Sequence, residues 1–400
     1  MLKYYNLFIG IKEGIGEILF KQKSPAKVVS SLFNSHKKWG KKDRAFVAET
    51  IYDIVRWKAK IEVAQNQEIT ELNVAKSIGV WFILKSETQL PNFEEFKDIN
   101  TQEILNNFKS KQEIPQIHYS LSPWLYEYGK EKLGETQWHK ELEALNQPAK
   151  IVLRCNSQKI SRKKLQIELA KELIETVILE NYPHALLLHS KKNVLISEAY
   201  KKGFFQIQDA SSQLVAPFLE VKPGQLVIDA CAGAGGKSLH LSNLMQNKGK
   251  IVAMDIYEHK LLELQKRKKL CGDSIIQTYL IKENDSLKKF NQIADCVLID
   301  APCSSTGIIR RNPAIKWNLT EQNFLDIVQL QKKLLEKYAQ FVKPHGSLVY
   351  STCSILSTEN QQQIADFLQT NPHFSLVKEQ GISPSISGFD GFYMALLRRD

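Results

Sequence analysis

Two short stretches hold the residues best suited to covalent chemistry. Asp300-Ala301-Pro302-Cys303-Ser304-Ser305 follows an apolar run at 295–300, and Ser351-Thr352-Cys353-Ser354 closes a second run at 347–351. A cysteine is most often a small buried hydrophobe, and Cys155, Cys271 and Cys296 read that way. Cys303 and Cys353 differ, because each lies just past the carboxyl end of a predicted strand, where open α/β sheets bind ligands. If those strands are neighbours, their ends stand about 5 Å apart, and two thiols can flank one substrate atom. The chemistry that suits such a pair is methylation of carbon 5 of a pyrimidine. That carbon is a poor nucleophile until a thiolate adds to carbon 6 and turns the ring into an enamine. A second group then helps remove the proton at carbon 5 and free the enzyme. A free thiol with a pKa of about 8.5 is only slightly ionised at neutral pH, so a cation or helix N-terminus is expected nearby. Enzymes that methylate exocyclic amines share an Asp/Asn-Pro-Pro-aromatic motif at this strand end. Asp300-Ala301-Pro302-Cys303 lacks the second proline and the ring, which argues for carbon as the acceptor.

A methyl donor needs its own site, and one candidate stands out. Asp229-Ala230-Cys231-Ala232-Gly233-Ala234-Gly235-Gly236-Lys237-Ser238 follows the first strand of the C-terminal half and opens a helix. Three glycines let the backbone turn tightly and approach a ligand. The spacing is not that of a P-loop, and Leu239 stands where a dinucleotide fingerprint counted from Gly233 would place its last glycine. Asp255 ends the second strand, 26 positions after Asp229, and a carboxylate there suits the hydroxyls of a ribose. A nucleoside without phosphates fits this set, so S-adenosylmethionine is the expected cofactor, with Ala232, Gly233, Ala234, Gly235, Gly236, Lys237 and Asp255 around it.

The elements that must position these groups follow from periodicity. Strands are predicted at 225–229, 251–255, 276–280, 295–300 and 347–351, alternating with helices from about 237, over 258–270, 320–342 and 357–368. A hairpin of 374–377 with 392–397 closes the sheet, and the alternation means a doubly wound α/β fold. Ahead of it, 149–200 reads as a small α+β module, with strands at 151–154, 177–179, 185–189 and 194–196 and a helix over 161–174. Residues 1 to about 130 read as helices, notably 24–33, 43–63, 73–84 and 123–133. The expected domains are therefore 1–140, 145–203 and 204–400, in keeping with roughly 150 residues per domain.

Composition bounds the rest. The 400 residues include 54 Lys plus Arg against 43 Asp plus Glu, a net charge of +11 with a pI near 9.1. A 43% hydrophobic chain with 24% charged residues is globular. No apolar run reaches the length of about 18 residues that a membrane helix needs. Six cysteines without a CxxC pair exclude a disulfide framework and argue against a metal. Lys3, Lys12, Glu13 and Glu17 break up the N-terminal apolar residues, so no signal peptide is expected and a cytoplasmic location is. The positive balance fits nucleic-acid binding, with solubility alone as the other reading. Lys37 to Arg44 is the densest basic cluster, and Arg154, Arg162, Lys163, Lys164, Lys191 and Lys192 make the middle module basic. Arg310 and Arg311 are candidates to hold phosphates flanking a target base, with a solvated loop as the other reading.

Together these motifs resemble the RsmB/Sun (NOP/NSUN) family of RNA cytosine-5 methyltransferases. Gly203-Phe204-Phe205 with Ile207-Gln208-Asp209-Ala210-Ser211-Ser212 is similar to its entry motif, Asp229–Lys237 to its cofactor loop with Ala234 in place of a common proline, and Asp390-Gly391-Phe392-Tyr393 with Arg398 to its closing motif. The resemblance implies a class I methyltransferase sheet in which Cys353 is the nucleophile and Cys303 assists release. It also implies a catalytic and cofactor-binding Asp300, with further cofactor contacts at Lys237, Asp255 and Asp285, the last within Glu283-Asn284-Asp285-Ser286. Lys42-Asp43-Arg44-Ala45-Phe46 and Glu49 to Arg56 resemble a NusB-like RNA-binding domain. That shifts the expected substrate towards small-subunit ribosomal RNA. Transfer RNA as the target, or a non-catalytic RNA-binding assembly factor, are the alternatives. Oligomeric state is not legible.

Overall fold

The structure, a computed structural model, describes residues 4–85, 90–190, 192–283 and 285–400. Lys3, Lys191 and Asn284 lie outside the described residues. The chain divides into two compact units, 1–147 with 309–324, and 148–308 with 325–400.

The first unit is helical. Its core gathers Phe8, Ile11, Ile15, Val28, Leu32, Val47, Ile51, Ile54, Ile78 and Phe82 from four helices, Tyr5–Leu19, Pro25–Ser35, Lys41–Arg56 and Val74–Leu84. The apolar periodicity of 43–63 predicts one helix, but the structure has two, Lys41–Arg56 and Lys58–Gln65, broken at Trp57. The reason is intrusion by distant side chains. The Val55 carbonyl accepts from Trp317 Nε1 at 2.6 Å, the Arg56 carbonyl from Lys316 Nζ at 3.1 Å, and the Ala59 N–H turns to Ser120 Oγ. Two ladder bonds, Ala59 to Val55 and Lys60 to Arg56, are thus lost from the helix. These bonds also explain why 309–324 belongs to the helical unit and not, as expected, to the C-terminal domain. Arg310 is buried, its carbonyl accepting from Arg56 Nη2 at 3.0 Å, so it does not form the phosphate-facing loop that its sequence position suggests.

The second unit holds two sheets. Strands β1 (Val152–Cys155), β2 (Thr176–Ile178), β3 (Ala185–Leu188) and β4 (Phe205–Ile207) form an antiparallel sheet in the order β2-β3-β1-β4. The expected strand at 194–196 is a single 3-10 turn. Asn193 Oδ1 accepts from the Leu195 N–H, and Leu195 and Ile196 are exposed. The expected boundary at 203–204 is bridged by β4 and by side chains. Asn156 Nδ2 donates to the Gly203 and Cys271 carbonyls, and Gln158 Nε2 to that of Ser242.

The larger sheet contains β5 (Leu226–Asp229), β6 (Lys250–Asp255), β7 (Ile276–Leu280), β8 (Ala294–Asp300), β9 (Val342–Thr352), β10 (Phe374–Ile382) and β11 (Phe392–Arg399). Their order is β10-β11-β9-β8-β5-β6-β7, parallel from β9 to β7, with β11 antiparallel to both neighbours. The order reverses at β5 and β8, where such sheets open a ligand crevice. Alternate residues feed two cores, Val297 and Ile299 into one and Cys296 and Leu298 into the other. Both faces are covered there, so β5, β6 and β8 are apolar almost throughout, whereas the edge strand β7 is not. Among the described residues no helix is long and apolar enough to cross a membrane.

Lys316 yields a test of this architecture. It is fully buried, and its Nζ also donates to the Tyr119 carbonyl at 3.0 Å and to Asn146 Oδ1 at 2.6 Å. Burial, reinforced by the charges of Arg56 and Lys60, holds its pKa well below the ordinary 10.5. The unfolded chain therefore binds the extra proton between the folded and unfolded pKa values, and the folded state gains stability as pH rises through that window. We predict that urea unfolding shows wild type gaining stability over Lys316→Met as pH is raised from 7 towards 10.5. A difference that stays constant with pH would show that Lys316 keeps its ordinary pKa.

Candidate active site

The parallel pairing of β8 with β9 sets Asp300 opposite Ser351. The two strands then end in step, and the loops that leave them carry the cysteines. Cys303 Sγ lies 3.3 Å from Cys353 Sγ, and Ser305 Oγ is 3.5 Å from Cys353 Sγ. The loops are tied together below the thiols. Gly307 N–H donates to the Cys353 carbonyl at 2.9 Å, and Thr306 Oγ1 meets Ser354 Oγ at 3.0 Å. Glu359 anchors them from beneath. It is fully buried, and its carboxylate accepts from the Ser304 N–H at 2.7 Å, the Ser304 hydroxyl and Gln331 Nε2 at 2.9 Å. Gln331 Nε2 also reaches the Pro302 carbonyl. Sequence reasoning missed Glu359. The available signal was its isolation, as the sole Asp, Glu, Lys or Arg between Lys343 and Asp366.

The two thiols are not equivalent. With Cys303 as the donor in that contact, the Cys353 pKa falls below the ordinary 9.0. The Ser305 hydroxyl and the Lys237 charge act in the same direction, against burial and the Asp300 charge. Cys303 moves the opposite way and stays a thiol, through that same bond and its own burial. The cation expected near the pair is Lys237, whose Nζ bonds Asp300 Oδ2 at 2.5 Å and sits 5.4 Å from the Phe392 ring centre. Ser351 Oγ donates to Asp300 Oδ1 at 3.1 Å.

Beside Asp300 and Pro302 opens a cavity of about 650 Å³. Its walls include Ala232, Gly233, Ala234, Gly236, Lys237, Asp255 and Asp300. Gly235 is not part of the wall. Its φ is +78°, and a Cβ there would stand 2.0 Å from Leu264 Cδ1, so glycine serves close packing against the next helix. Asp255 accepts from the Gly233 N–H and the Tyr257 N–H, each at 2.8 Å, and so shapes the loop as well as the wall. Asp229 is buried beneath the loop, bonded by Ser238 Oγ at 2.6 Å, and burial raises its pKa to about 7. Cys231 also lines the cavity, but burial and then the charges of Asp229, Asp300 and Asp255 push its pKa well above 9.0. It stays protonated, a wall group and not a second nucleophile.

Asp285 does not line the cavity. Its Oδ2 accepts from the Tyr279 hydroxyl at 3.1 Å and the Lys282 N–H at 3.2 Å, so the carboxylate closes the turn after β7. The entry and closing motifs do meet, since the Asp390 N–H donates to Asp209 Oδ1 at 3.3 Å. Two basic residues expected on an RNA surface are structural. Arg154 is buried, and Arg162 Nη1 donates to the Leu179 and Tyr182 carbonyls. Lys37, Lys38, Lys41, Lys42, Lys163, Lys164 and Lys192 are exposed.

Comparison with known proteins places this geometry in a family. Residues 216–398 match the family model described as 16S rRNA methyltransferase RsmB/F, and 121–195 match the ferredoxin-like domain of the RsmF/B-like proteins. The ribosomal RNA small subunit methyltransferase B of Pasteurella multocida is 33% identical over 321 residues, covering 74% of this chain and 70% of that protein. The chain belongs to the RsmB/F methyltransferase family. The Vibrio cholerae protein of the same name is 32% identical over 295 residues, 70% of this chain but 66% of that relative, just under two thirds of its length. The crystal structure of PH0851 covers all of both chains, with a TM-score of 0.84 and 26% identity. The fold is thus that of the class I, S-adenosylmethionine-dependent methyltransferases.

The thiol pair yields the next prediction. Cys303→Ala removes the largest influence lowering the Cys353 pKa, so that pKa should rise. Iodoacetamide alkylation of Cys353, followed against pH by peptide mass spectrometry, should shift its midpoint upward in the variant. An unmoved midpoint would mean that Cys303 does not donate to Cys353.

Proposed function

We propose that this protein transfers a methyl group to carbon 5 of a cytosine in small-subunit ribosomal RNA, through a covalent bond to Cys353. The observation that carries the reading is the pair of thiols 3.3 Å apart beside the cavity that Asp300 and Lys237 help to wall. The names of the relatives support ribosomal RNA as the substrate class.

The cavity suits S-adenosylmethionine. Its floor is peptide backbone between Ala230 and Lys237, Asp255 supplies a carboxylate for the ribose, and Ile256, Ile281 and Tyr338 offer apolar walls for the base. Two of the Asp255 oxygen lone pairs serve backbone N–H groups, and a carboxylate has about four, so hydroxyls can still be accepted. When bound, S-adenosylmethionine supplies an electrophilic methyl group.

The chain's own residues account for the remaining steps. The Cys353 thiolate attacks carbon 6 of the cytosine, a carbon–sulfur bond forms, and the electron pair of the 5,6 double bond moves to carbon 5, in conjugation with the ring nitrogen at position 3. Asp300, fixed by Ser351 and Lys237, is suited to accept from the exocyclic amine and hold the base in plane. Carbon 5, now nucleophilic, gains the methyl group. The carbon 5 proton then passes to water, the carbon–sulfur bond breaks and the Cys353 thiolate is restored, with the Cys303 thiol beside the departing sulfur to assist release by hydrogen-bonding to it. The base must leave its stack to reach the thiols, at a cost of a few kcal/mol that is smallest in unpaired RNA.

The two cysteine variants separate these roles. Cys353→Ala should lose turnover by roughly a thousandfold or more, as nucleophile deletions do. Cys303→Ala should attack and methylate but release RNA poorly, leaving a protein–RNA complex that survives a denaturing gel and requires S-adenosylmethionine. Trapping by Cys353→Ala instead would reverse the roles, and trapping by neither would remove the covalent route.

A further inference from the structure

We propose that Arg154 and Arg267 are positioning residues that hold the glycine loop in its cofactor-binding shape, making the small sheet part of the cofactor site. This rests on the reading of that cavity as the S-adenosylmethionine site.

A loop with three glycines has little conformational preference of its own. Its N–H groups are engaged from within, Gly233 to Asp255 and Gly235 to the Ala232 carbonyl at 2.9 Å. Two of its carbonyls are engaged from outside. Arg154, in the middle of β1 and only 2% exposed, donates through Nη1 to the Gly236 carbonyl. Arg267, on the helix Glu258–Cys271, donates through Nη1 to the Ala234 carbonyl at 2.7 Å. The peptide unit is planar, so fixing those two carbonyls also fixes where the N–H groups of Gly235 and Lys237 point. Lys237 is the residue that pairs with Asp300.

A second tie gives each guanidinium its direction. Arg154 Nη1 also bonds Gln208 Oε1, and Arg267 Nε bonds Gln206 Oε1 at 2.9 Å. Both glutamines belong to β4 or the residue just after it, in the small sheet. Gln208 Nε2 in turn donates to Ser212 Oγ at 3.0 Å. The arrangement is a clip, with one strand gripping two arginines that grip two loop carbonyls.

Arg267 and Gln208 also line the cavity, whereas Arg154 does not. Neither arginine forms an ion pair among the described residues, and burying Arg154 without a carboxylate partner is costly. Burial, then the charge of Arg267, pulls the Arg154 pKa down to about 9, which leaves it a cation at neutral pH. Carbonyl dipoles are what these charges face, and charge-assisted bonds are the stronger kind. Arg154 is thereby reassigned from a basic surface residue to a support of the cofactor loop.

The test uses the full chain and two readouts. The first is hydrogen exchange without cofactor at residues 229–238. The second is S-adenosylmethionine binding by calorimetry, with methylation KM and kcat. Arg154→Met and Arg267→Met should speed exchange in the loop while β6 and β8 keep their protection. They should raise the cofactor Kd and KM roughly ten- to a hundredfold, the effect of losing a charge-assisted bond. At saturating cofactor, kcat should stay within about threefold of wild type. Arg154→Lys keeps the charge and should recover part of the affinity. If Arg154→Met does not fold, Gln208→Ala carries the test, with a smaller rise in both readouts. Unchanged loop exchange overturns the proposal, as does an unchanged Kd in a wild type that binds. A fall in kcat with KM unmoved also overturns it, since that reports general destabilisation. A wild type that binds no S-adenosylmethionine sinks the cofactor reading alone, and loop exchange then judges the clip.

Discussion

Register between β8 and β9 governs the chemistry available to this chain. Residues along a strand advance by about 3.3 Å each, so a slip of two positions would carry one cysteine loop roughly 6–7 Å past the other. Asp300 stands opposite Ser351 in the observed pairing, and from there both loops need only three or two residues to reach their thiols. Ser351 adds a side-chain bond across the same pair. Everything else at the site holds that alignment. Glu359 fixes the backbone of Ser304, Thr306 meets Ser354, and Gly307 meets Cys353. The two sulfurs are close because the backbone beneath them is over-determined.

Buried polar groups recur wherever the fold must stay precise. Glu359, Lys316, Arg154 and Asp229 are each fully or almost fully buried. An apolar core tolerates repacking, whereas a buried charge demands particular partners at particular distances. Each of the four is tied to irregular backbone: a cysteine loop, a broken helix, or the glycine turn and its base. Regular elements need no such help, since their own ladders fix them.

The same distinction separates what the sequence disclosed from what it hid. Strands β5, β6 and β8 and the second half of β9 were legible because parallel strands covered on both faces are continuous apolar runs. The cysteines and the glycine loop were legible because they sit at strand ends, where topology alone assigns a ligand crevice. Strand β4 was hidden by its shortness, three residues inside a motif read for its chemistry. The break at Trp57 was hidden because its causes, Lys316 and Trp317, lie some 260 positions away. Arg154 was misread for a related reason. Composition counts a guanidinium but not its depth, and nothing near 154 announces the loop at 236. Asp285 shows the converse, a carboxylate that a local match assigns to the cofactor and that the turn after β7 already uses.

The placement of 309–324 in the helical unit also sets an order on synthesis. Residues 1–147 leave the ribosome long before the segment that completes them. Until Lys316 and Trp317 emerge, the carbonyls of Val55 and Arg56 lack the donors that replace their helical partners. The early chain can satisfy those carbonyls by running one continuous helix through Trp57, as its apolar periodicity favours. A helix that did so would have to open at Trp57 when the later segment docks. Closing contacts over so long a separation carries a loop-closure cost and slows folding. The break at Trp57, though it lies in the part first made, can take its final form only once residues 316 and 317 exist.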